Sequence, residues 1–387
     1  MSELGSNIDG KRLGGYLRGL REGRKLSLDA VEEMSVGYPE RITKSHLSRI
    51  ENGQAMPSFS RMFTLSQIYG IPVASMAEQF EVDLILGMMP PGSDTKSDAE
   101  LLEEARKLRI AGRYREALQL YGMVLQRTDH KGTDLIQLRL HRINCLVMLG
   151  RFFSAKEDVE LLLGSPELST EQRVIALQNL ANCCFRMGRY SVANMVLDNA
   201  KLEIAALPKD HRLHAYLAGL EGRLLQVMGQ HESATGCFRK SLALFEAMNE
   251  GFYACRNRLF LGSALADLGR AAEARLHLNK VVDTARKEGY DRQRAHALGA
   301  LGVLAYRENE HELAESRCLQ SNQIARPREY FGLIFQNCYY LWRIALARDD
   351  QAAALSNERT LRAYLSRVEE HLPEAVVYRS HLTGGEG

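Results

Sequence analysis

No stretch of this 387-residue sequence approaches the roughly 18 consecutive apolar residues that a membrane span needs, and nothing after Met1 has the apolar core of a signal peptide. Export and membrane insertion are therefore not expected; a cytoplasmic location is. Cysteine is sparse and badly arranged for bridging or for metal. The seven (Cys145, Cys183, Cys184, Cys237, Cys255, Cys318, Cys338) are odd in number and form no C-x-x-C pair or Cys/His cluster. Buried free thiols in a reducing compartment are expected, rather than disulfides or zinc. Charge of one sign is missing too: 50 basic side chains meet 48 acidic ones, so bulk charge gives no support for binding a polyanion. Sustained period-2 alternation of β-branched residues is absent, which points away from sheets and towards an all-α chain. The nine prolines all stand between helical patterns; inside a helix each would cost about 3 kcal/mol. Phosphate-loop, zinc-protease and nucleophile-elbow motifs are also missing, and His231-Glu232 and His311-Glu312 lack a second histidine. No enzyme activity, catalytic residue, metal or cofactor is expected.

What the sequence does contain is a repeat. Ala117, Ala155, Ala193, Ala234, Ala274, Ala314 and Ala354 recur at steps of 38, 38, 41, 40, 40 and 40 residues. Five positions before each stands Gly112, Gly150, Gly188, Gly229, Gly269, Asn309 or Asp349. Twelve positions before, the residue is usually small: Ala105, Ala181, Gly222, Gly262, Gly302, with Ile143 and Trp342 as exceptions. Such a pattern fits a helical hairpin. The Gly, Asn or Asp tolerates the left-handed turn that ends helix A, and the two small residues let helices A and B cross closely. An aromatic follows the turn in the first three units (Tyr114, Phe152, Tyr190) and fills space between neighbouring pairs. Over residues 99–372 the sequence resembles the tetratricopeptide repeat (TPR) family. That resemblance implies a right-handed α-solenoid of about seven hairpins, its last two repeats degenerate as capping repeats often are.

Residues 11–80 carry a second pattern. An amphipathic first helix (Lys11-Arg12-Leu13, Leu17, Leu20-Arg21) precedes a Ser27-capped second. Then come Thr43-Lys44-Ser45-His46-Leu47-Ser48-Arg49-Ile50-Glu51-Asn52-Gly53, Pro57-Ser58 and Gly70-Ile71-Pro72. This unit resembles the Xre (lambda repressor/Cro-like) helix-turn-helix family, which implies a five-helix domain that binds double-stranded DNA as a homodimer. Thr43 would cap the recognition helix. Leu47 and Ile50 would face the core. Lys44, Ser45 and His46 would read bases, with Ser48 and Arg49 also outward. Asn52, Ser27 and the Arg24-Lys25 corner would meet phosphates. The stretch Ser35–Arg41 is longer than the usual turn between the second and third helices. With ten basic and nine acidic side chains in residues 1–80, attraction to phosphate must come from clustering, for which Lys11, Arg12, Arg18, Arg21, Arg24 and Lys25 are candidates.

Domain boundaries follow: 8–80 for the helix-turn-helix, 81–98 for a linker around Pro90-Pro91-Gly92, 99–372 for the sensor and dimerisation array, and 373–387 for a tail. In the repeat family the A helices line a groove, and side chains just after the small position point into it. On that basis Asn144, Gln178, Asn182, Arg186, Arg223 and Arg256 are the candidate ligand residues. Asparagine amides hold peptide backbone, and arginines hold carboxylates. A helix-turn-helix fused to such an array resembles the RRNPP peptide-sensing regulators. The resemblance implies quorum sensing through a peptide or small acidic ligand in the groove, which changes DNA binding. The alternative is an adaptor whose array docks proteins while the helix-turn-helix dimerises or binds DNA weakly.

Overall fold

The computed structural model describes residues 11–87, 95–110, 113–127, 133–209, 211–368 and 372–383. Among these residues there are twenty α-helices and no strand, as the pattern implied. They divide into two compact units, residues 1–207 and 208–387.

The first unit begins with α1 (Lys11–Gly23), α2 (Leu28–Met34), α3 (Lys44–Glu51), α4 (Phe59–Tyr69) and α5 (Val73–Gly87). Leu13, Leu17, Val31, Ile42, Leu47, Ile50, Leu65 and Met76 close their core. Helix α1 crosses the end of α3 so closely that a Cβ on Gly14 would lie 2.5 Å from the Ile50 carbonyl oxygen; only glycine fits there. The long connection from α2 to α3 begins with a short 3-10 turn, Ser35–Gly37. It is tied back by buried Ser35, whose Oγ accepts from the Ile42 amide at 2.9 Å.

Three helical pairs follow: α6 (Asp98–Ile110) with α7 (Tyr114–Arg127), α8 (Thr133–Met148) with α9 (Phe152–Leu163), and α10 (Thr170–Arg186) with α11 (Tyr190–Ile204). The expected domain boundary does not coincide with a break. Helix α5 runs through residue 80 and packs on α1 and also on α7 and α9. Its Val82 and Ile85 share a core with Leu101, Leu118, Tyr121 and Val124. The physical reason is the apolar run at its end, which has no other face to bury against. The Pro90-Pro91-Gly92 stretch lies outside the described residues, as does Gly112.

The second unit holds α12 (Arg212–Val227) with α13 (His231–Ala247), α14 (Gly251–Asp267) with α15 (Ala271–Glu288), α16 (Asp291–Arg307) with α17 (His311–Ala325), and α18 (Phe331–Ala347) with α19 (Gln351–Tyr364). The residues expected as a tail contain α20 (Pro373–Thr383), which packs on α18. Its Ala375 and Tyr378 are buried, and Tyr378 meets Trp342 edge-on. That apolar face covers the end of the last pair.

All seven repeat alanines are buried. Their partners are as close as expected: a Cβ on Gly222, Gly262 or Gly302 would lie 2.6, 2.8 or 2.6 Å from Phe238, Leu278 or Cys318. Gly150, Gly188, Gly229, Gly269, Asn309 and Asp349 all adopt positive φ. A second series had not been expected. Asn249, Gly289 and Glu329, between pairs, are left-handed too, so in the second unit such a residue falls every 20 positions from 229 to 349. Each turn has one geometry. The residue after the left-handed one donates its amide to a carbonyl five residues back (Gln230 to Leu225, 2.8 Å; Glu250 to Phe245, 2.9 Å). Its own carbonyl then accepts the first bond of the next helix (Ala234 to Gln230, 3.0 Å). One residue thus ends one helix and starts the next. The cysteines are all free, and all but Cys237 are buried.

Candidate nucleic-acid interface and groove

Helix α3 is capped by Thr43, whose Oγ1 accepts from the His46 amide at 3.3 Å. Glu32 of α2 accepts from the Lys44 amide at 2.8 Å, which fixes the angle between α2 and α3. Leu47 and Ile50 are buried, and Lys44, Ser45 and Arg49 are exposed. Those three form the free edge of the helix. Lys44 Nζ sits 2.8 Å from Asp29 in an exposed pair, an interaction weak enough for a phosphate or base to displace. His46 and Ser48 are half-buried. The His46 ring lies 3.0 Å from Arg61 of α4; burial first, then Arg61 and Arg49, lowers its pKa, so the ring is neutral at pH 7.

The other expected phosphate contacts divide. Ser27 caps α2 by accepting from the Ala30 amide at 3.0 Å, and so occupies a helix N-terminus. Asn52 is exposed, but its amide donates to the Ser48 carbonyl at 2.8 Å and its oxygen accepts from Arg18. Arg21 grips the buried carboxylate of Glu51 through two bonds of 2.7 and 2.8 Å. Arg24 folds onto the Tyr69 carbonyl, and Arg12 is held by Asp158 at 3.1 Å. The expected basic cluster is therefore partly internal. Arg12 and Arg21 neutralise buried acids, a role that charge counting could not separate from display.

Residues 14–77 match the helix-turn-helix domain family. This part of the chain is a helix-turn-helix domain. The chain's fold is similar to that of NprR in complex with its cognate peptide NprX, at 12% identity and TM-score 0.57, over 74% of this chain and 85% of that one. It is likewise similar to a Rap protein complexed with Competence and Sporulation Factor, at 14% identity and TM-score 0.57, over 70% of this chain and 77% of that one. The apo form of RapI gives 14% identity and TM-score 0.51 over the same shares, 70% and 77%. Identities this low show the fold, a helical array of TPR-like repeats. No curated protein matches the chain.

Several A helices pack on one another as well as on their B partners: α8 on α10 in the first unit, and α12 on α14, α14 on α16 and α16 on α18 in the second. The A helices thus form the inner layer. In the first unit Asn144 lies on α8 and Gln178, Asn182 and Arg186 on α10; the first three are half-buried and Arg186 is exposed. Gln178, Asn182 and Arg186 follow at four-residue steps along one face of α10. Arg186, at the end of that helix, lies over the Phe152 ring at 5.3 Å. In the second unit Arg223 lies over Phe260 at 5.6 Å and Arg256 over Tyr253 at 5.1 Å. Sequence reasoning missed these aromatic seats. Their signal was present, an aromatic three positions before Arg256 on its own helix. Among the described residues no helix is long and apolar enough to cross a membrane, and no group of acidic, His or Cys side chains is placed to hold a metal.

Proposed function

We propose that the chain is a sequence-specific DNA-binding transcriptional regulator whose repeat array binds a peptide or small acidic ligand that changes its hold on DNA. One observation carries the reading: a Thr43-capped α3 with Lys44, Ser45 and Arg49 exposed along its free edge, within a helix-turn-helix domain that shares a unit with TPR-like repeats. Lys44 and Arg49 supply charge-assisted donors to bases or phosphates. Ser45 adds a short polar contact, and His46, neutral and backed by Arg61, positions the face. The repeat fold adds a second line of support, since the NprR and Rap structures are of complexes with a peptide and with Competence and Sporulation Factor. In the first unit Asn144, Gln178 and Asn182, on the packed inner helices α8 and α10, are the residues proposed to hold a peptide backbone. A homodimer would place two recognition helices about 34–36 Å apart on a palindrome.

Genomic footprinting followed by gel-shift with the recovered sites tests this. Lys44→Ala with Arg49→Ala should abolish specific binding while leaving the helical circular dichroism spectrum unchanged. Absence of any palindromic enrichment would sink the regulator reading. It would favour the adaptor, a reading the internal use of Arg12 and Arg21 supports, because it leaves the domain with little free positive charge.

A further inference from the structure

The inner layer of the second unit contains a cation with no counter-charge. Arg256 lies on α14, and its Nε is sealed from solvent with no hydrogen-bond partner among the described residues. No carboxylate among them pairs with it. Its titratable neighbours are the neutral phenols of Tyr253 and Tyr216 and a second cation, Arg292. Burial is the strongest influence and lowers its pKa, and the Tyr253 ring is the main local compensation. Arg256 is half-buried, and holding an unpaired cation even partly out of water carries a cost that a methionine of similar length would not incur.

Its surroundings are ordered as a receptor. Tyr216, Arg256, His296 and Gln336 occupy the same register in α12, α14, α16 and α18, at 40-residue spacing. Arg212, in the first turn of α12, donates to the Tyr216 hydroxyl at 3.0 Å. Arg292, in the first turn of α16, lies over the Tyr330 ring at 5.7 Å. The group therefore sits near the N-terminal ends of the A helices, where the aligned backbone dipoles are positive. His296 is pushed down to about 4 by burial and then by Arg292, so at neutral pH it offers a neutral ring rather than a further charge. The acid Glu250 acts on Arg212.

We infer that Arg256, flanked by Arg212 and Arg292, is the anchor for a carboxylate, and that this carboxylate is the free C-terminus of a peptide bound by the inner helices of the second unit. The first half rests on geometry. The guanidinium face is covered by the Tyr253 ring at 5.1 Å, which leaves the in-plane N–H groups as the free donors. A planar two-oxygen anion matches that fork, and one monoanion balances one half-buried guanidinium. Inorganic phosphate, tetrahedral and partly doubly charged, matches it less well. The second half rests on the walls. Tyr216 and Tyr253 meet edge to face at 4.9 Å, and Phe245 stacks on Tyr253 at 5.2 Å. An apolar side chain next to the carboxylate would lie against these rings. The peptide part of the inference depends on the reading given under Proposed function; the carboxylate part does not.

The test uses the full chain and four probes: a pool of short random peptides ending in leucine as free acids, the same pool as C-terminal amides, N-acetylleucine, and inorganic phosphate. Affinity is read by calorimetry and thermal shift for wild type, Arg256→Met and Asn144→Ala/Asn182→Ala. The expected result is at least tenfold tighter binding of the free acids than of the amides, with the difference erased in Arg256→Met. That variant should also melt at or above the wild-type temperature without ligand, which a merely structural arginine would not allow. Equal binding of acids and amides overturns the carboxylate anchor. If the asparagine variant alone then loses binding, the groove reading survives it. Binding of N-acetylleucine but of neither pool, lost in Arg256→Met, upholds the carboxylate site and removes the peptide from it. Preference for phosphate, or no response to any carboxylate, overturns the proposal.

Discussion

Asp158 lies with its carboxylate almost wholly buried between two guanidiniums. Arg142 reaches it at 2.8 and 2.9 Å and Arg12 at 3.1 Å. Burial alone would raise its pKa, but the two arginines outweigh that and hold the carboxyl below its ordinary value of 3.8. Arg12 belongs to α1 and Arg142 to α8, so one side chain joins the helix-turn-helix domain to the second repeat. Replacing it with asparagine leaves two buried cations facing a neutral amide, a change that costs about 3–5 kcal/mol in comparable buried pairs. Urea unfolding of Asp158→Asn at pH 7 should show a loss of that order; a loss below about 1 kcal/mol would mean that the arginines find other partners. The sign of the pH effect follows from the lowered value. The contribution is complete above the carboxyl's ordinary value of 3.8 and fades as pH falls through the lower folded one. The wild-type advantage over the variant should therefore shrink in strong acid. Nothing in the sequence marked Asp158, because it was one acid among 48 and its partners stand 16 and 146 residues away.

At the scale of helices, half of the turn pattern was legible and half was not. Gly229, Gly269, Asn309 and Asp349 announce a left-handed turn by residue type, since only glycine and short polar side chains tolerate positive φ readily. Between pairs the same geometry falls on Asn249, Gly289 and Glu329, and glutamate carries no such signal. Packing of the flanking helices imposes the conformation on Glu329, whose φ is +54°. The residue therefore stores the strain of a side chain in the wrong region, about 1–2 kcal/mol. Replacing it with glycine relieves the strain and adds chain entropy to the unfolded state, so the net gain should be about 1 kcal/mol. A rise in the melting temperature of Glu329→Gly is expected. A fall would show that the side chain makes a contact worth more than the strain. Likewise, α3 was legible because a Thr cap and a Leu47/Ile50 spacing are local; of the residues expected to face outward, Lys44, Ser45 and Arg49 are exposed, whereas His46 and Ser48 are half-buried. The inward turn of Arg12 and Arg21 was not legible, because it depends on which distant acid is buried.

At the scale of the molecule, the helix-turn-helix is built onto the repeats rather than tethered to them. Composition suggested otherwise, since Pro90-Pro91-Gly92 reads as a linker between two domains. Yet Leu86 of α5 occupies the space that a side chain on Gly122 would need. Glu78 accepts the Ser154 amide at 2.6 Å, and Gln79 donates to Glu157 at 2.6 Å. Helix α5 therefore lies across α7 and α9, the second helices of the first two pairs. Any change in the tilt of α7 or α9 must move α5, and with it α1, whose Gly14 lies against the end of the recognition helix. This continuity gives a ligand in the first unit a mechanical route to α3, provided it prefers one arrangement of the inner helices over another. The decisive comparison is between two truncations. A chain starting at residue 97 loses α5 and exposes Leu118, Tyr121 and Val124, whereas one starting at residue 73 keeps them covered. The longer fragment should melt cooperatively and resist protease; the shorter one should melt earlier and be cut first within α6 and α7. Equal stability of the two fragments would show that α5 is dispensable to the array, and the rigid route from repeat to recognition helix would fall with it.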